Sequence, residues 1–322
     1  MRKAKKTAVL LLAFLLCVIL SASGCEGSAA EGIKASQENA GSIRISYLGP
    51  AGTYTEEAAR LFFPNGVFQP KESVPDAMLD VKEGRADYAV IPQENTLGGA
   101  VLNYIDALIA EPDLYVVGEV ILPISQTLMA LPGASMEEIR TVCSHAQGLA
   151  QSAAWRDKNL PDAKALEMSS TAAAASFVAD SGDLTVAAIA APGAAALYGL
   201  AVLAENVQIT DTNQTRFYVL ASDSLQDARA LRTNAVFVAS CAANRIDDII
   251  VEIHETGLEL VTIHDRPEGS YLGAYNYIIE VTDDDGIEDA LLNELDAIPE
   301  VHCLGSFSVV IRQDSPAPVL NP

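Results

Sequence analysis

The stretch RTVCSHAQGLAQSAAWRD, residues 140–157, places a short apolar run directly before a segment whose apolar residues have helical spacing. Such a run is typical of a buried strand, and the alanine-rich segment after it is typical of a helix that covers the strand. The same order recurs at residues 163–180 and again at 184–199. This alternation predicts an α/β fold with parallel or mixed sheets covered by helices.

The alternation begins further towards the N-terminus. Residues 43–92 predict a strand, two helices and a buried strand, with Thr53 or Thr55 capping the first helix and Ser73 the second. Residues 111–131 predict instead consecutive extended segments, which could carry the chain from one sheet to another. We therefore expect a two-lobed α/β domain with a ligand cleft at the carboxyl ends of strands.

A separate unit follows this domain. Residues 231–312 predict the order strand, helix, strand, strand, helix, strand, which is the ferredoxin-like βαββαβ arrangement of a small regulatory or dimerising module. Residues 313–322 contain too much proline and too little apolar surface to order themselves, so we expect a disordered tail. The two-lobed domain is expected at residues 43–221, with its second lobe at about 122–205.

The N-terminal segment predicts an export signal, residues 1–25, because basic MRKAKK precedes an apolar run too short to span a bilayer comfortably. Its end, SASGCEGS, resembles a bacterial lipoprotein processing site, although Ala22 stands where a leucine is usual. We expect a lipid on Cys25 and an exported, membrane-anchored protein; ordinary signal cleavage and a retained anchor are the alternatives. Residues 26–42 are small and polar and predict a flexible tether.

The composition limits the partners of the chain. Lys plus Arg number 20 against 43 Asp plus Glu, so the formal net charge is −23. This field repels nucleic acid and anionic membrane surfaces, so we expect no nucleic-acid partner and membrane contact only through the lipid anchor. After the signal, Cys143, Cys241 and Cys303 are widely spaced and lack a C-x-x-C pattern. The sequence therefore predicts neither a metal site nor a disulfide framework.

Four stretches place polar side chains at the ends of predicted strands. Residues at these ends can reach a ligand, and a glycine turn before a helix can bind an anion through free N–H groups. Helix capping is the alternative for Thr53, Asn95 and Thr96, and a structural role is the alternative for His145. The stretches are YLGPAGTYTEEA (47–58), IPQENTLGGAV (91–101), CSHAQGLAQS (143–152) and NQTRFYVL (213–220).

In this order, the stretches resemble the prephenate dehydratase family, and the resemblance extends over residues 43 to about 221. The C-terminal unit resembles an ACT domain, the regulatory module that this family commonly carries, with HDRP at 264–267 where the family typically has ESRP. The motifs of the two-lobed domain are YLGPAGTY, PQENT, SHAQ, the helix start at Ser170 and Thr171, LYGL at 197–200 and TRF at 215–217.

The resemblance implies a carbon–oxygen lyase of phenylalanine biosynthesis, which converts prephenate to phenylpyruvate with loss of carbon dioxide and hydroxide. It implies no metal and no cofactor, because formation of the aromatic ring drives the reaction. It also implies lobes like those of type II periplasmic binding proteins. Carried over by motif, the catalytic positions are Thr215, as donor to the leaving hydroxyl, Asn95, Gln151 and Ser144, and the substrate-binding positions are Arg216, Phe217, Thr53, Glu94, Thr96 and Thr171.

The sequence leaves two roles open for Arg216. Its guanidinium is a good partner for a substrate carboxylate, because it can form a charge-assisted pair of hydrogen bonds. Adjacent strand residues face opposite sides, however. If Thr215 points into the cleft, Arg216 would instead brace the acidic lobe from behind.

The C-terminal unit departs from the family at the positions that bind phenylalanine. The family's glycine-alanine-leucine turn aligns with residues 244–246, where an arginine adds bulk and charge. We therefore expect L-phenylalanine, the candidate effector, to act weakly or not at all, while the unit could still form a homodimer or a larger assembly. The effector positions are Asn244, Arg245, Ile246, His264, Asp265, Arg266 and Pro267.

The predicted export is the largest difference from the family, because members of this family are usually cytoplasmic and their substrate is made inside cells. The alternative function is a surface-tethered solute-binding or sensing protein that kept the cleft and lost turnover. Retention of Thr215 favours the enzyme, since a binding protein needs no donor to a leaving group. Gln93, at a position that is usually aliphatic in the family, is a smaller departure that removes no reacting group.

Overall fold

The computed structural model describes residues 42–223 and 231–311, which form three β-sheets and the helices packed on them. The predicted signal, lipidation site, tether and tail lie outside the described residues. None of the helices within the described ranges is long and apolar enough to cross a membrane. In chain order the elements are β1 (Arg44–Leu48), α1 (Tyr54–Phe62), β2 (Val67–Lys71), α2 (Val74–Lys82), β3 (Tyr88–Asn95), β4 (Gly99–Ala100), α3 (Leu102–Ala110), β5 (Tyr115–Pro123), β6 (Thr127–Ala130), a 3-10 turn (Met136–Glu138), β7 (Thr141–His145), α4 (Ala146–Gln151), α5 (Ala153–Asn159), β8 (Lys164–Met168), α6 (Thr171–Ser181), β9 (Val186–Ala190), α7 (Pro192–Tyr198), β10 (Ala201–Ala204), β11 (Gln214–Ala221), β12 (Asn234–Ala242), α8 (Ile246–Glu255), β13 (Glu259–Pro267), β14 (Ala274–Thr282), α9 (Asp289–Asp296), β15 (Val301–Phe307) and β16 (Val309–Ile311).

The first lobe is built on a seven-stranded sheet with the order β16-β5-β11-β3-β1-β2, in which the short β4 pairs with β3. Thr53, not Thr55, caps α1, because its side chain accepts a hydrogen bond from the backbone N–H of Glu56. Ser73 caps α2 as predicted, with Pro75 in the first turn, where its missing N–H costs no hydrogen bond. β3 and β11 are antiparallel neighbours, so the end of one lies beside the start of the other.

The second lobe has its own five-stranded sheet, with the order β10-β6-β9-β7-β8. β7 pairs in parallel with both β8 and β9, and each of these three strands is followed by a helix, as the sequence alternation predicts. Ser170 caps α6, accepting from the backbone N–H of Ala173. The chain passes between the lobes twice, after β5 and before β11, which gives the expected two-lobed α/β architecture.

The C-terminal domain is a four-stranded antiparallel sheet, order β13-β14-β12-β15, and α8 and α9 pack on one face of it. Side chains alternate along β12, so Phe237 packs with these helices while Val236 points to the other face. That second face does not meet solvent: Val236, Leu304 and Phe307 belong to a core that includes residues of the first lobe. The two domains therefore share one hydrophobic core.

β15 and β5 approach each other so closely at residue 305 that only a glycine fits there. Gly305 has a φ of 127°, and a Cβ there would lie 2.3 Å from the carbonyl oxygen of Val116. Beyond this contact, residues 309–311 pair in parallel with β5 of the first lobe. From the sequence, these residues were expected in the C-terminal unit, residues 231–312. Because the shared core brings the end of β15 to the edge of the first sheet, the next residues add a strand to that sheet instead.

Candidate active site

A cleft of about 270 Å³ lies between the two lobes. The starts of α1, α4 and α6, the end of β3 and the start of β11 reach it, so both lobes contribute side chains. Among the described residues that line it there is no aspartate, glutamate, lysine or arginine. The expected site residues that line the cleft are Thr53, Asn95, Gln151, Thr171, Thr215 and Phe217.

Thr215 and Asn95 face each other across the pairing of β11 with β3. Asn95 Nδ2 donates to Thr215 Oγ1 at 2.9 Å. The Asn95 amide is fixed in this direction, because its Oδ1 accepts from the backbone N–H groups of Leu97 and Gly98 at 3.0 and 2.9 Å. Thr215 Oγ1 therefore acts as an acceptor towards Asn95, and its own proton is available to a ligand in the cleft.

Gln151 is oriented by two other amides. Its Oε1 accepts from Gln126 Nε2 and from Asn213 Nδ2, each at 3.2 Å. Since the oxygen is occupied from two sides, the Nε2 of Gln151 is the end that remains for a ligand. Asn213 Oδ1 in turn accepts from Asn95 Nδ2 at 2.8 Å. A continuous chain of neutral amides thus connects Gln126 to Thr215.

Of the three helices that begin at the cleft, the two longer ones are α1, with nine residues from the first lobe, and α6, with eleven from the second. Tyr54 and Thr171, the first residues of these helices, both line it. The N–H groups of a first helical turn have no partner within the helix, and the helix dipole makes this end partly positive. The cleft therefore offers one anion-binding position on each lobe without any cationic side chain.

His145 and Gln147 line the cleft at the start of α4. His145 is the N-cap of this helix, and its Nδ1 accepts from the backbone N–H of Gln147 at 3.3 Å. The Gln147 side chain crosses to the first lobe, where its Nε2 donates to Asn95 Oδ1 at 3.2 Å. His145 thus has the structural role that the sequence left open, and Gln147 connects the lobes.

Ser144, an expected catalytic residue, lies beneath the cleft and is not among the described residues that line it. Its buried hydroxyl donates to the backbone carbonyl of Ile189 in β9 at 2.7 Å. The start of α4 packs directly over it, since a Cβ on Gly148 would lie 2.4 Å from Ser144 Oγ. Ser144 therefore joins β7 to β9 and supports the helix that carries Gln151.

Glu94 and Thr96 also lie outside the cleft lining. Both flank Asn95, and side chains along an extended chain alternate between faces, so neighbours of a residue that enters the cleft turn away from it. Glu94 Oε2 lies 3.7 Å from Arg216 Nη1 on the opposite face of the sheet. Thr96 Oγ1 donates to the carbonyl of Thr212 at 3.2 Å and holds the turn before β11.

Arg216, expected among the substrate-binding residues, points away from the cleft. Its Nε donates to Glu119 Oε1 at 2.5 Å, and its Nη2 donates to Glu280 Oε1. The side chains of both glutamates are 0% exposed, whereas that of Arg216 is 17% exposed. Of its two open roles, Arg216 has the bracing one, because Thr215 takes the cleft face of β11.

Burial governs the protonation of these charged groups. It raises the pKa of Glu119 to about 7, although the Arg216 guanidinium opposes this shift. For Arg216 itself, burial lowers the pKa and the carboxylates of Glu119 and Glu280 raise it, with a net increase. Burial and then Glu280 raise the pKa of Tyr218 well above its ordinary value. The arginine therefore stays protonated, and Glu119 is the group that can change charge near neutral pH.

Two of the effector positions expected in the C-terminal domain, Arg245 and Arg266, form ion pairs with other side chains. Arg245 Nη2 lies 2.9 Å from Glu252 Oε1, on α8. Arg266 donates to both carboxylate oxygens of Asp106 on α3 at 2.6 and 2.9 Å, and so connects the C-terminal domain to the first lobe. The remaining positions lie at the start of α8 or in β13: Asn244, Ile246, His264, Asp265 and Pro267.

The cysteines are free thiols, as far as the described residues extend. Burial raises the pKa of Cys143 and of Cys303 to about 11, which keeps both protonated and weakly nucleophilic at neutral pH. Within the same ranges, no group of three or more His, Cys, Asp or Glu side chains is arranged to hold a metal ion.

Sequence reasoning missed Gln126 and Asn213 in the cleft and Glu119 and Glu280 behind it. Asn213 had a signal, since it opens the NQTRFYVL stretch directly before Thr215. The glutamates could also have been noticed, because each is the only charged residue in its strand. Gln126 follows β5 in a segment with no distinguishing pattern.

Comparison with known proteins agrees with this geometry. The family model for prephenate dehydratase matches residues 45–225. A prephenate dehydratase of Amycolatopsis methanolica is 34% identical over 286 residues, which cover 87% of this chain and 92% of that protein. A bifunctional chorismate mutase/prephenate dehydratase of Aquifex aeolicus is 31% identical over 276 residues, covering 84% and 75%. The crystal structure of a prephenate dehydratase from Arthrobacter aurescens in complex with L-Phe is 30% identical with a TM-score of 0.74, covering 83% and 90%. The chain belongs to the prephenate dehydratase family.

Proposed function

We propose that the cleft between the lobes carries out the family's reaction, the conversion of prephenate to phenylpyruvate, with Thr215 as donor to the leaving hydroxyl. The bond from the ring to its carboxylate breaks, and its electron pair completes the aromatic ring while hydroxide leaves from the opposite ring carbon. The observation that supports this role is the hydrogen bond from Asn95 Nδ2 to Thr215 Oγ1 at 2.9 Å. It leaves the Thr215 proton for the departing hydroxide.

An aliphatic hydroxyl is too weak an acid to protonate the leaving group before the bond breaks. Thr215 therefore acts by hydrogen bonding to negative charge as that charge develops. Oriented donors of this kind accelerate reactions by roughly 10² to 10⁴-fold. At 9% exposure, Thr215 is nearly shielded from water, which strengthens the interaction.

The substrate's two carboxylates need partners in a cleft without lysine or arginine. The first turns of α1 and α6 supply backbone N–H groups from opposite lobes, and Gln151 Nε2 supplies a neutral donor between them. A guanidinium would stabilise the ring carboxylate most in the ground state, before carbon dioxide leaves. Neutral donors stabilise this ground-state carboxylate less than a guanidinium does. Less stabilisation is therefore lost as the charge disappears on the way to the transition state, which favours the reaction.

The test is a turnover assay with the full chain in mild detergent, following the absorbance of phenylpyruvate at neutral pH. We expect turnover well above the spontaneous rate in the wild type and in Thr141→Ala, a matched control at the first residue of β7, which does not line the cleft. Absence of turnover in a folded wild type that still binds prephenate would favour the surface-tethered binding protein instead.

The C-terminal domain is an ACT domain in this proposal, which its βαββαβ topology and HDRP at 264–267 support. L-phenylalanine is its candidate effector, because the relative from Arthrobacter aurescens was crystallised with this amino acid. Since carboxylates already hold Arg245 and Arg266, we expect weak or absent inhibition when L-phenylalanine is titrated into the assay. Strong inhibition at micromolar concentration would contradict this expectation.

The proposal includes a homodimer or a larger assembly. β13 is an edge strand of the C-terminal sheet, and it exposes Leu260, Val261 and Ile263. Exposed apolar edge strands readily pair with another chain. Light scattering should therefore give at least twice the mass of one chain, and Leu260→Lys should shift the protein towards the monomer. A monomeric wild type would rule out this part.

Export and lipid anchoring at Cys25 complete the proposal, on the support of the N-terminal sequence alone. A partner enzyme would then have to supply prephenate outside the cytoplasm. Cells fed a labelled lipid precursor should label the wild type and not Cys25→Ala. A wild type that remains unlabelled and fractionates with the cytoplasm would contradict export and show the cytoplasmic location that is usual in the family.

A further inference from the structure

Directly behind Thr215 lies a set of charged side chains that the reaction does not use. Arg216 contacts Glu119 on β5 of the first lobe and Glu280 on β14 of the C-terminal domain. We call these three residues the arginine cluster. Because the glutamates come from different domains, a single guanidinium, one residue from the proposed leaving-group donor, connects the domains.

Glu280 is held from several directions. Its Oε2 accepts from the Tyr218 hydroxyl at 2.7 Å, and its Oε1 accepts from Asn234 Nδ2 at 3.2 Å. Gln93 Nε2 donates to the Tyr218 hydroxyl at 3.1 Å and lies 3.5 Å from Glu280 Oε2. The carboxylate that reaches Arg216 therefore has one defined position rather than a range of rotamers.

Burying the arginine cluster between two domains is unfavourable in free energy, because its charges lose their hydration. Two fully buried carboxylates share one guanidinium, and Glu119 Oε2 has no hydrogen-bond partner. Removing charges from water costs several kcal/mol per ion, and apolar side chains of similar volume often stabilise such a site as well or better. The need to hold the two domains together does not explain the arginine cluster, because apolar residues such as Leu304 and Phe307 already do so in the shared core.

The backbone beside the arginine cluster determines where Thr215 points. Thr215 pairs with Asn95 and Arg216 with Glu94, but Phe217 then pairs with Pro92, so Gln93 forms a bulge in β3. Bulges twist a strand and redirect the side chains next to them. Glu280 contacts both strands at this bulge: Arg216 on β11, and Gln93, the bulged residue itself, on β3.

We propose that Arg216 is a positioning residue for the reaction assigned above, and that Glu280 of the C-terminal domain fixes the Thr215 hydroxyl through it. The inference rests on the proposed function and adds to it: the C-terminal domain supplies part of the alignment of the leaving-group donor. A shift of about 1 Å in a reacting group can cost on the order of 100-fold in rate. The domain can therefore affect turnover without reaching the cleft.

The experiment compares Glu280→Gln and Arg216→Lys with Asp106→Asn in the full chain. Asp106→Asn is the matched control, because it breaks the other ion pair between the domains, on α3, where it contacts no cleft residue. Two readouts are taken from each variant: kcat and KM for prephenate, and hydrogen exchange of the backbone amides in residues 213–218 and 92–97, with β9 of the second lobe as internal reference.

Glu280→Gln should lower kcat by about 10- to 100-fold with KM within about twofold of the wild type. It should also speed exchange at 213–218 and 92–97 but not in β9. Arg216→Lys should give a smaller change in the same direction, because one ammonium cannot form the fork to both carboxylates. Asp106→Asn should change neither readout.

Three outcomes would overturn the inference: an effect on KM alone, which would indicate a substrate contact, a kcat equal to that of Asp106→Asn, or unchanged exchange at residues 213–218. The exchange measurement needs no turnover. An inactive wild type would therefore reject the proposed function, while the exchange data would still decide whether Glu280 holds β11.

Discussion

The two faces of β11 carry opposite kinds of polar group. On the cleft face, Thr215 is surrounded by neutral amides and by the starts of helices. On the other face, Arg216 is surrounded by carboxylates, two of them fully buried. The charges that hold the strand are thereby kept out of the cleft, where a carboxylate would repel a dianionic substrate and a guanidinium would favour its ground state.

The largest effect should come from removing the donor on the neutral face. Thr215→Ala should lower kcat by about 10² to 10⁴-fold and leave KM nearly unchanged, because the lost hydrogen bond forms with the departing hydroxide. Thr215→Ser, which keeps the hydroxyl, should retain most of the activity. Steady-state kinetics with prephenate measure both. Thr215→Ala with wild-type turnover would remove Thr215 from the mechanism.

A charge placed on the neutral face should be nearly as damaging. Gln151→Glu would put a carboxylate where Gln151 Nε2 is proposed to donate to the substrate, and repulsion between like charges should raise KM by about 10- to 100-fold. Gln151→Met, of similar size and uncharged, separates this repulsion from the loss of the hydrogen bond. Equal KM values for the two variants would show that the cleft tolerates charge.

Removing a charge from the other face should change how stability depends on pH. The pKa of Glu119 is about 7 in the folded protein against an ordinary 4.5, so the folded state binds more protons between these values and loses stability as pH rises. The loss between pH 5 and pH 7.5 is about 2 kcal/mol. Urea unfolding at pH 5 and 7.5, measured for the wild type and for Glu119→Gln, should show this loss in the free energy of unfolding only in the wild type. Parallel pH dependence would contradict the shift.

The smallest effect should come from the amide that supports Gln151. Gln126→Leu removes one of the two donors to Gln151 Oε1, and a hydrogen bond of about 1 kcal/mol corresponds to a rise in KM of roughly fivefold. Stability should not fall, because Gln126 Oε1 is buried without a partner. A loss of stability without a change in KM would make Gln126 a structural residue only.

Much of the fold could be predicted because its determinants are local. Ser73 and Ser170 cap helices that begin at the next residue, and the strand-helix alternation of the second lobe lies within one continuous stretch. The packing of the C-terminal sheet on the first lobe could not be predicted. It depends on the helix-free face of β12, and a sequence does not show what covers such a face.

The candidate site could be predicted only where a motif marks it. Thr215 and Asn95 were expected in the cleft, and strand alternation limited Arg216 to two roles, but the choice between them required the position of Glu280, 64 residues away. Ser144 lies in its motif, yet its direction depends on how α4 packs over β7. Glu119 and Glu280 are each the only charged residue of their strand, but the sequence does not show that Arg216 brings them together.

The strand β16 gives the C-terminal domain an unusual attachment. The chain leaves the first sheet at Ala221, completes the C-terminal domain, and returns at Val309 as a new edge strand of the same sheet. In topological terms the domain is an insertion between two strands of its host and not a terminal appendage. One proteolytic cut between residues 221 and 231 would therefore leave the two fragments associated, through the pairing of β16 with β5 and through the shared core.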